Sequence, residues 1–228
     1  MKLSIIIPTY NSNGRVLEVI KAIQNLKLQK IQKEIIVVDD ASTDKTFTSL
    51  KKIHGIILIH HRKNTGKGGS VNDGFTKATG DILMIQDDDM EYDPKEIPKI
   101  ISPILQNEAQ IVFGSRRLNK RNTYSSPLYY FGGVLVDTLV SFVLSTKLTD
   151  AITGAKIMTR EVYNAIKPIV SEGFEIEAEI AVKAVKHGYK PLEVPIHYSP
   201  RSHKEGKNIR WHHSFAIVKS LIYHTYFS

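Results

Sequence analysis

Cysteine is absent from the 228 residues, which excludes a disulfide framework and any zinc site built on thiolates, and fits a reducing compartment. Proline and glycine are modest, at 9 and 14 residues, and 24% of the chain is charged. It is therefore neither collagen-like nor disordered. No run approaches the roughly 20 apolar residues that span a bilayer; the nearest, Phe131 to Leu144, carries Asp137 in its middle. The opening Leu3-Ser4-Ile5-Ile6-Ile7 is stopped at once by Pro8, too short for a signal-peptide core, and reads as a buried first strand. The expectation is a cytoplasmic protein that meets the cytoplasmic face of a membrane only peripherally.

Acidic residues are outnumbered: 31 Lys and Arg against 23 Asp and Glu leave a formal net charge of +8. The excess gathers in two clusters, Arg116, Arg117, Lys120, Arg121 and Arg201, Lys204, Lys207, Arg210. Neither is a basic tail, and no helix-turn-helix or aromatic ribonucleoprotein motif accompanies them, so nucleic acid is disfavoured against anionic small molecules or an anionic lipid surface.

With 42% hydrophobic residues the chain suffices for one sizeable α/β domain. Short β-branched runs, Leu3–Ile7, Glu34–Asp39, Ile56–His60, Ile82–Gln86 and Ile111–Gly114, predict strands buried on both faces. Helical patterns lie between them at about 14–28, from about 42 onward, at 67–78 and at 94–106. Such alternation predicts right-handed crossovers and an open, doubly wound, mostly parallel sheet. Beyond residue 115 a polar basic loop leads to an apolar helical pattern at 127–147. A short segment at 153–158 then precedes a helix from about Arg160, and further helical patterns lie at 174–186 and 211–227 with a late strand at 192–198.

The sharpest chemical signal is Asp87-Asp88-Asp89-Met90-Glu91, where the apolar strand at 82–86 ends. Packing gives no reason for three consecutive carboxylates there, yet the carboxyl ends of strands are where open α/β sheets bind ligands. A hard divalent cation, Mg²⁺ or Mn²⁺, would relieve their repulsion. A second acidic strand end, Val38-Asp39-Asp40-Ala41-Ser42-Thr43-Asp44, offers Asp39 as an acceptor for a base or ribose, while Asp40 to Asp44 suit helix capping. Gly66-Lys67-Gly68-Gly69 is neither a dinucleotide fingerprint, since position 71 is Val71, nor a P-loop. The adjacent pairs His60-His61 and His212-His213 lack zinc-ligand spacing.

Ser4-Ile5-Ile6-Ile7-Pro8-Thr9-Tyr10-Asn11, Val38-Asp39-Asp40-Ala41-Ser42-Thr43-Asp44, Asn64-Thr65-Gly66-Lys67-Gly68 and Gly80-Asp81 running to Gln86-Asp87-Asp88-Asp89 together resemble the family 2 glycosyltransferases in order and spacing. The resemblance covers residues 3–120 and implies a GT-A fold, a nucleotide-diphosphate-sugar donor and inversion at the anomeric carbon. It implies nucleoside contacts from Pro8, Tyr10 and Asp39, with Lys67 near the phosphates. Asp87 and Asp88 would lie beside the ribose and diphosphate, Asp89 would be the principal metal ligand, and Glu91 could complete the metal shell. Gly114-Ser115-Arg116, Asp150-Ala151-Ile152-Thr153-Gly154-Ala155-Lys156 and Pro200-Arg201-Ser202-His203-Lys204-Glu205-Gly206-Lys207 look like the polyprenyl-phosphate mannose or glucose synthases. Two departures stand out: Asp88 replaces the usual small residue between two aspartates, and no transmembrane helices follow.

On this reading residues 3–120 hold a GDP- or UDP-hexose and residues 121–228 hold a polyprenyl-phosphate acceptor. Arg116 or Arg117 would offset charge on the leaving diphosphate. A phosphate acceptor is already anionic, so it needs a cationic clamp rather than a base; Arg201 with Arg117, Lys204 and Lys207 would supply one. A hydroxyl acceptor would instead need a general base, for which Glu175 and Glu177 are the candidates. A third reading is a nucleotide-sugar-binding protein without turnover. Trp211, Phe215, Val218 and Ile222 share a helical face that suits a membrane interface, a core or a homodimer contact.

Overall fold

The computed structural model describes residues 1–124, 127–200 and 213–226. Among the described residues seven strands form one sheet: β1 (Lys2–Thr9), β2 (Gln32–Asp39), β3 (Ile57–His60), β4 (Ile82–Ile85), β5 (Ile111–Ser115), β6 (Lys156–Thr159) and β7 (Leu192–Pro195). Their spatial order is β3-β2-β1-β4-β6-β5-β7. The β1–β2, β1–β4, β2–β3 and β5–β7 pairs are parallel, whereas β6 runs antiparallel to both β4 and β5. The helices are α1 (Arg15–Asn25), α2 (Thr46–Leu50), α3 (Gly66–Lys77), α4 (Ile97–Leu105), α5 (Pro127–Val143), α6 (Arg160–Ile166), α7 (Ile176–Lys186) and α8 (His213–Tyr226).

Successive side chains of a strand point to opposite faces, and here both faces are covered. Leu3, Ile5 and Ile7 of β1 join Val16, Ile20 and Ile23 of α1 and Ile97, Ile100 and Ile104 of α4 in one core layer. Ile6 joins Val71 and Phe75 of α3, Ile180 of α7 and Leu221 of α8 in the other. This explains the unbroken apolar runs in the sequence. In α1 the N-cap is Gly14 with no side-chain cap, a loss of roughly 0.3 kcal/mol. Four buried aliphatics, Val16, Val19, Ile20 and Ile23, at roughly 1.5–3 kcal/mol each, outweigh it.

The segment expected to be only a lead-in to α6 is the inner strand β6. Its run is four residues long and contains Lys156, so neither length nor apolarity marks it. Of the stripe Trp211, Phe215, Val218 and Ile222, the described side chains are Val218, half-buried, and Ile222. Trp211 lies outside the described residues; Ile217, Leu221 and His224 are buried, and Ile222 is exposed.

Candidate functional site

The carboxyl ends of β1, β2 and β4 bring the two acidic motifs together. Thr9, the last residue of β1, is paired in register with Asp39 of β2, and Asp39 with His60 of β3. The Thr9 hydroxyl donates to Asp88 Oδ2, joining the β1 end to the aspartate run beyond β4. Pro8 is buried beside it, and Tyr10 is exposed just past the strand. Asp39 is fully buried. Its Oδ2 lies 2.7 Å from His60 Nδ1 and accepts the Ser42 N–H at 3.3 Å, while Oδ1 is buried without a hydrogen-bond partner. The His60 ring stacks on Phe47 with centroids 3.7 Å apart.

Adjacent histidines thus meet adjacent aspartates, since His61 Nδ1 lies 2.7 Å from Asp40 Oδ1. Asp40 also accepts the backbone N–H groups of Thr65 and Gly66, each at 2.8 Å. It therefore caps the start of α3, not α2. Asp44 does the capping expected near α2, accepting the Thr46 N–H at 2.8 Å.

The glycines at the start of α3 serve close packing. The N–H groups of Gly68 and Gly69 donate to the Glu172 carbonyl at 2.7 and 3.2 Å. A Cβ on Gly68 would fall 2.1 Å from the Ser171 carbonyl oxygen. This docking of the 171–173 backbone holds Lys67 at the cleft, where its ammonium lies 2.7 Å from Asp87 Oδ1 and 2.9 Å from Glu177 Oε1. Burial alone would lower the lysine pKa, but Asp87 and Glu177 raise it, so Lys67 stays charged.

Of the other carboxylates, Asp89 Oδ1 accepts the Glu91 N–H at 3.0 Å. Glu91 is buried, and its Oε2 accepts the Tyr198 hydroxyl at 3.1 Å. Burial and Glu91 raise the Tyr198 pKa. Among the described residues no three His, Asp or Glu side chains converge as a metal cluster. Asp87 turns to Lys67 and Glu91 to Tyr198.

Arg116, expected to offset leaving-group charge, is committed elsewhere. Its Nε and Nη2 reach the two oxygens of Asp150 at 2.7 and 2.6 Å, and its guanidinium lies over the Tyr198 ring. Burial opposes its charge, and Asp150 more than offsets that. Arg117 pairs with Asp137 of α5 and with the Thr149 carbonyl. It also lines a cavity of about 490 Å³ with Lys120, Asn122, Tyr124, Tyr130 and Phe131. Arg201, Lys204 and Lys207 lie outside the described residues.

Glu177 is not available as a base in this geometry. Glu177 is buried between Lys67 and Lys156, with Lys156 Nζ 2.8 Å from its Oε2. Both lysines lower its pKa against the effect of burial. Glu175 accepts the Gly173 N–H at 3.0 Å. Sequence reasoning placed Asp150 and Lys156 within one motif without giving either a role, and missed the tyrosines at 124, 130 and 198. Asp137, a lone acid inside an apolar helix, was a visible signal, since such a residue demands a buried partner.

Residues 4–167 match the family model described as glycosyl transferase family 2. The chain belongs to that family. Among relatives of this glycosyltransferase, the dolichol-phosphate mannosyltransferase of Pyrococcus furiosus is 32% identical over 215 residues, covering 91% of this chain. The chain spans only 59% of that relative's own length. A UDP-N-acetylglucosamine–dolichyl-phosphate N-acetylglucosaminyltransferase of Methanococcus voltae is 28% identical, with 90% of this chain and 89% of the relative covered. In fold, this glycosyltransferase is similar to glucosyl-3-phosphoglycerate synthase of Mycobacterium tuberculosis solved with UDP. The TM-score is 0.74 at 17% identity, over 98% of this chain and 80% of that one. A complex of the same synthase with Mn²⁺, UDP and phosphoglyceric acid gives 0.73, also at 17% identity, over 98% and 78%. The architecture is the GT-A fold.

Proposed function

We propose that this glycosyltransferase moves a hexose from a GDP- or UDP-hexose to the phosphate of a polyprenyl phosphate, with inversion. The observation that carries the acceptor class is the state of Glu177. A hydroxyl acceptor needs a base, and Glu177, the buried candidate, is held between two ammonium groups. A phosphate monoester needs no base, only cations that hold it in line. Arg117 and Lys120 in the aromatic-lined cavity suit that task, and Arg201, Lys204 and Lys207 are proposed to share it. Both dolichyl-phosphate relatives agree in acceptor class.

For the donor, the unpartnered Oδ1 of Asp39 is the acceptor that a ring N–H of uracil or guanine requires. Pro8 and Tyr10 would flank the nucleoside, with Lys67, Asp87 and Asp88 near the ribose and diphosphate. The all-oxygen chemistry of the acidic turn fits Mg²⁺ or Mn²⁺, with Asp89 as principal protein ligand, Glu91 and Asp87 as further candidates, and substrate phosphate oxygens completing the shell. Such a cation would neutralise charge on the departing diphosphate.

Membrane approach is assigned to α5, whose Phe131, Leu135, Leu139 and Phe142 are exposed on one helical face. Among the described residues no helix is long and apolar enough to cross a membrane. The acceptor claim is tested by offering labelled donor with either a polyprenyl phosphate or the matching polyprenol. Label in the phosphate alone is expected; label in the polyprenol would favour the hydroxyl reading.

A further inference from the structure

Lys156 is a lysine with no exposure at all, and nothing in the transfer chemistry calls for it. Its ammonium lies 2.8 Å from Glu177 Oε2, donates to the Thr153 carbonyl, and sits 4.8 Å above the Phe113 ring. Glu177 presents its other oxygen to Lys67 at 2.9 Å, and Lys67 reaches Asp87 at 2.7 Å. The four groups form a chain of alternating charge, Asp87, Lys67, Glu177, Lys156, with two charges of each sign. Side-chain exposure falls along it from 21% at Asp87 through 11% and 4% to 0% at Lys156. Only the Asp87 end opens on the cleft.

A buried ion pair of this kind is a weak source of stability, because desolvation offsets the attraction and an apolar pair of similar volume packs as well. A positional role accounts for it better. Lys67 left with Asp87 alone would close on that carboxylate as a tight contact pair. Glu177 supplies a second anchor that holds the ammonium between two carboxylates. Lys156 fixes the far oxygen of Glu177 and neutralises the charge left over. We infer that Lys156 and Glu177 are positioning residues. Acting through Lys67, they hold its ammonium in a shared position from which it transfers to a nucleoside diphosphate without leaving Glu177. This inference rests on the donor reading of the cleft.

The test is calorimetric titration of the full chain with UDP and with GDP in the presence of MnCl₂. The variants are Lys67→Met, Lys156→Met/Glu177→Leu, and the triple combination. The apolar pair should raise Kd for the bound nucleotide about tenfold, with melting within a few degrees of the parent. Adding Lys67→Met to that pair should raise Kd by no more than about twofold, since residues acting through one another are not additive. A folded pair variant that binds like the parent overturns the inference, as does a Lys67→Met effect that adds in full. If the pair variant does not fold, Glu177→Gln keeps the shape while removing the charge. It should weaken binding about threefold and blunt the Lys67→Met effect; unchanged affinity there also overturns the inference. If the parent binds neither nucleotide, the donor reading itself fails.

Discussion

Asp39 gives one oxygen to His60 and Ser42 and keeps the other buried and unpartnered, a cost of about 1–3 kcal/mol that a bound base would recover. Asp39→Asn keeps the shape but turns an amide N–H₂ toward one of the two sides. UDP or GDP affinity should fall at least about tenfold by calorimetry, with little change in melting temperature. Gly154 makes a second prediction, because a Cβ there would stand 2.2 Å from Asp87 Oδ2 and 3.2 Å from Lys67 Nζ. Gly154→Ala should displace that pair and weaken nucleotide binding, with little change in stability because the atom it meets ends a partly exposed side chain. A variant that bound like the parent would contradict this placement. At this scale the sequence was informative where function departs from packing: three carboxylates at a strand end, and Asp39 as the last residue of β2. It was silent on which carboxylates are already spent. Glu177 was a candidate base for a hydroxyl acceptor, whereas the lysines against it come from α3 and β6 and meet it only in the folded chain.

The elements are tied at the opposite, amino end of the strands by Glu34 of β2. Its carboxylate pairs with Lys2 and accepts the Ser4 hydroxyl and the Thr79 N–H and hydroxyl, linking β1, β2 and the segment before β4. Burial alone would raise its pKa; Lys2, Ser4 and Thr79 together bring it from 4.5 down to about 2. A carboxylate depressed on folding contributes stability that is present above pH 4.5 and is lost as pH falls toward 2. Glu34→Gln should therefore cost about 2 kcal/mol at neutral pH, a figure discounted because Lys2 is partly exposed. The gap from the parent should close between pH 4.5 and 2 in denaturant melts; a pH-independent gap would contradict the assignment. Strands β1, β2, β4 and β5 were legible because burial on both faces writes itself as continuous β-branched runs, and β3, half-buried at the sheet edge, keeps an apolar run of its own. The inner strand β6 was not, since a four-residue strand carrying a buried lysine has no local signature and its place between β4 and β5 is set by long-range pairing. In α8 the periodicity was present, but its packed face is Ile217, Leu221 and His224, so an amphipathic pattern alone did not say which side faces the core.

For the whole molecule, α5 buries Val136 and Val140 while leaving Phe131 66%, Leu135 62% and Phe142 82% exposed. The same helix face begins at the cavity that holds Arg117 and Lys120, which places apolar surface beside cationic groups, as a lipid phosphate requires. Replacing Phe131, Leu135 and Phe142 with Asp should abolish co-sedimentation with anionic vesicles while leaving UDP or GDP affinity unchanged; vesicle binding that survived would move the membrane contact elsewhere. The family and its GT-A fold were readable from motif order over the first half of the chain, whereas donor and acceptor identity depend on cleft shape that motif spacing does not encode. The most direct measurement is transfer of labelled hexose from a panel of GDP- and UDP-hexoses into the lipid fraction of a short polyprenyl phosphate, with Mn²⁺ or Mg²⁺, a chelator control and Asp89→Ala alongside the parent. The account predicts label from one donor, dependent on the metal and lost in Asp89→Ala. Absence of label in the lipid fraction from every donor, in a preparation that still binds nucleotide, would contradict it.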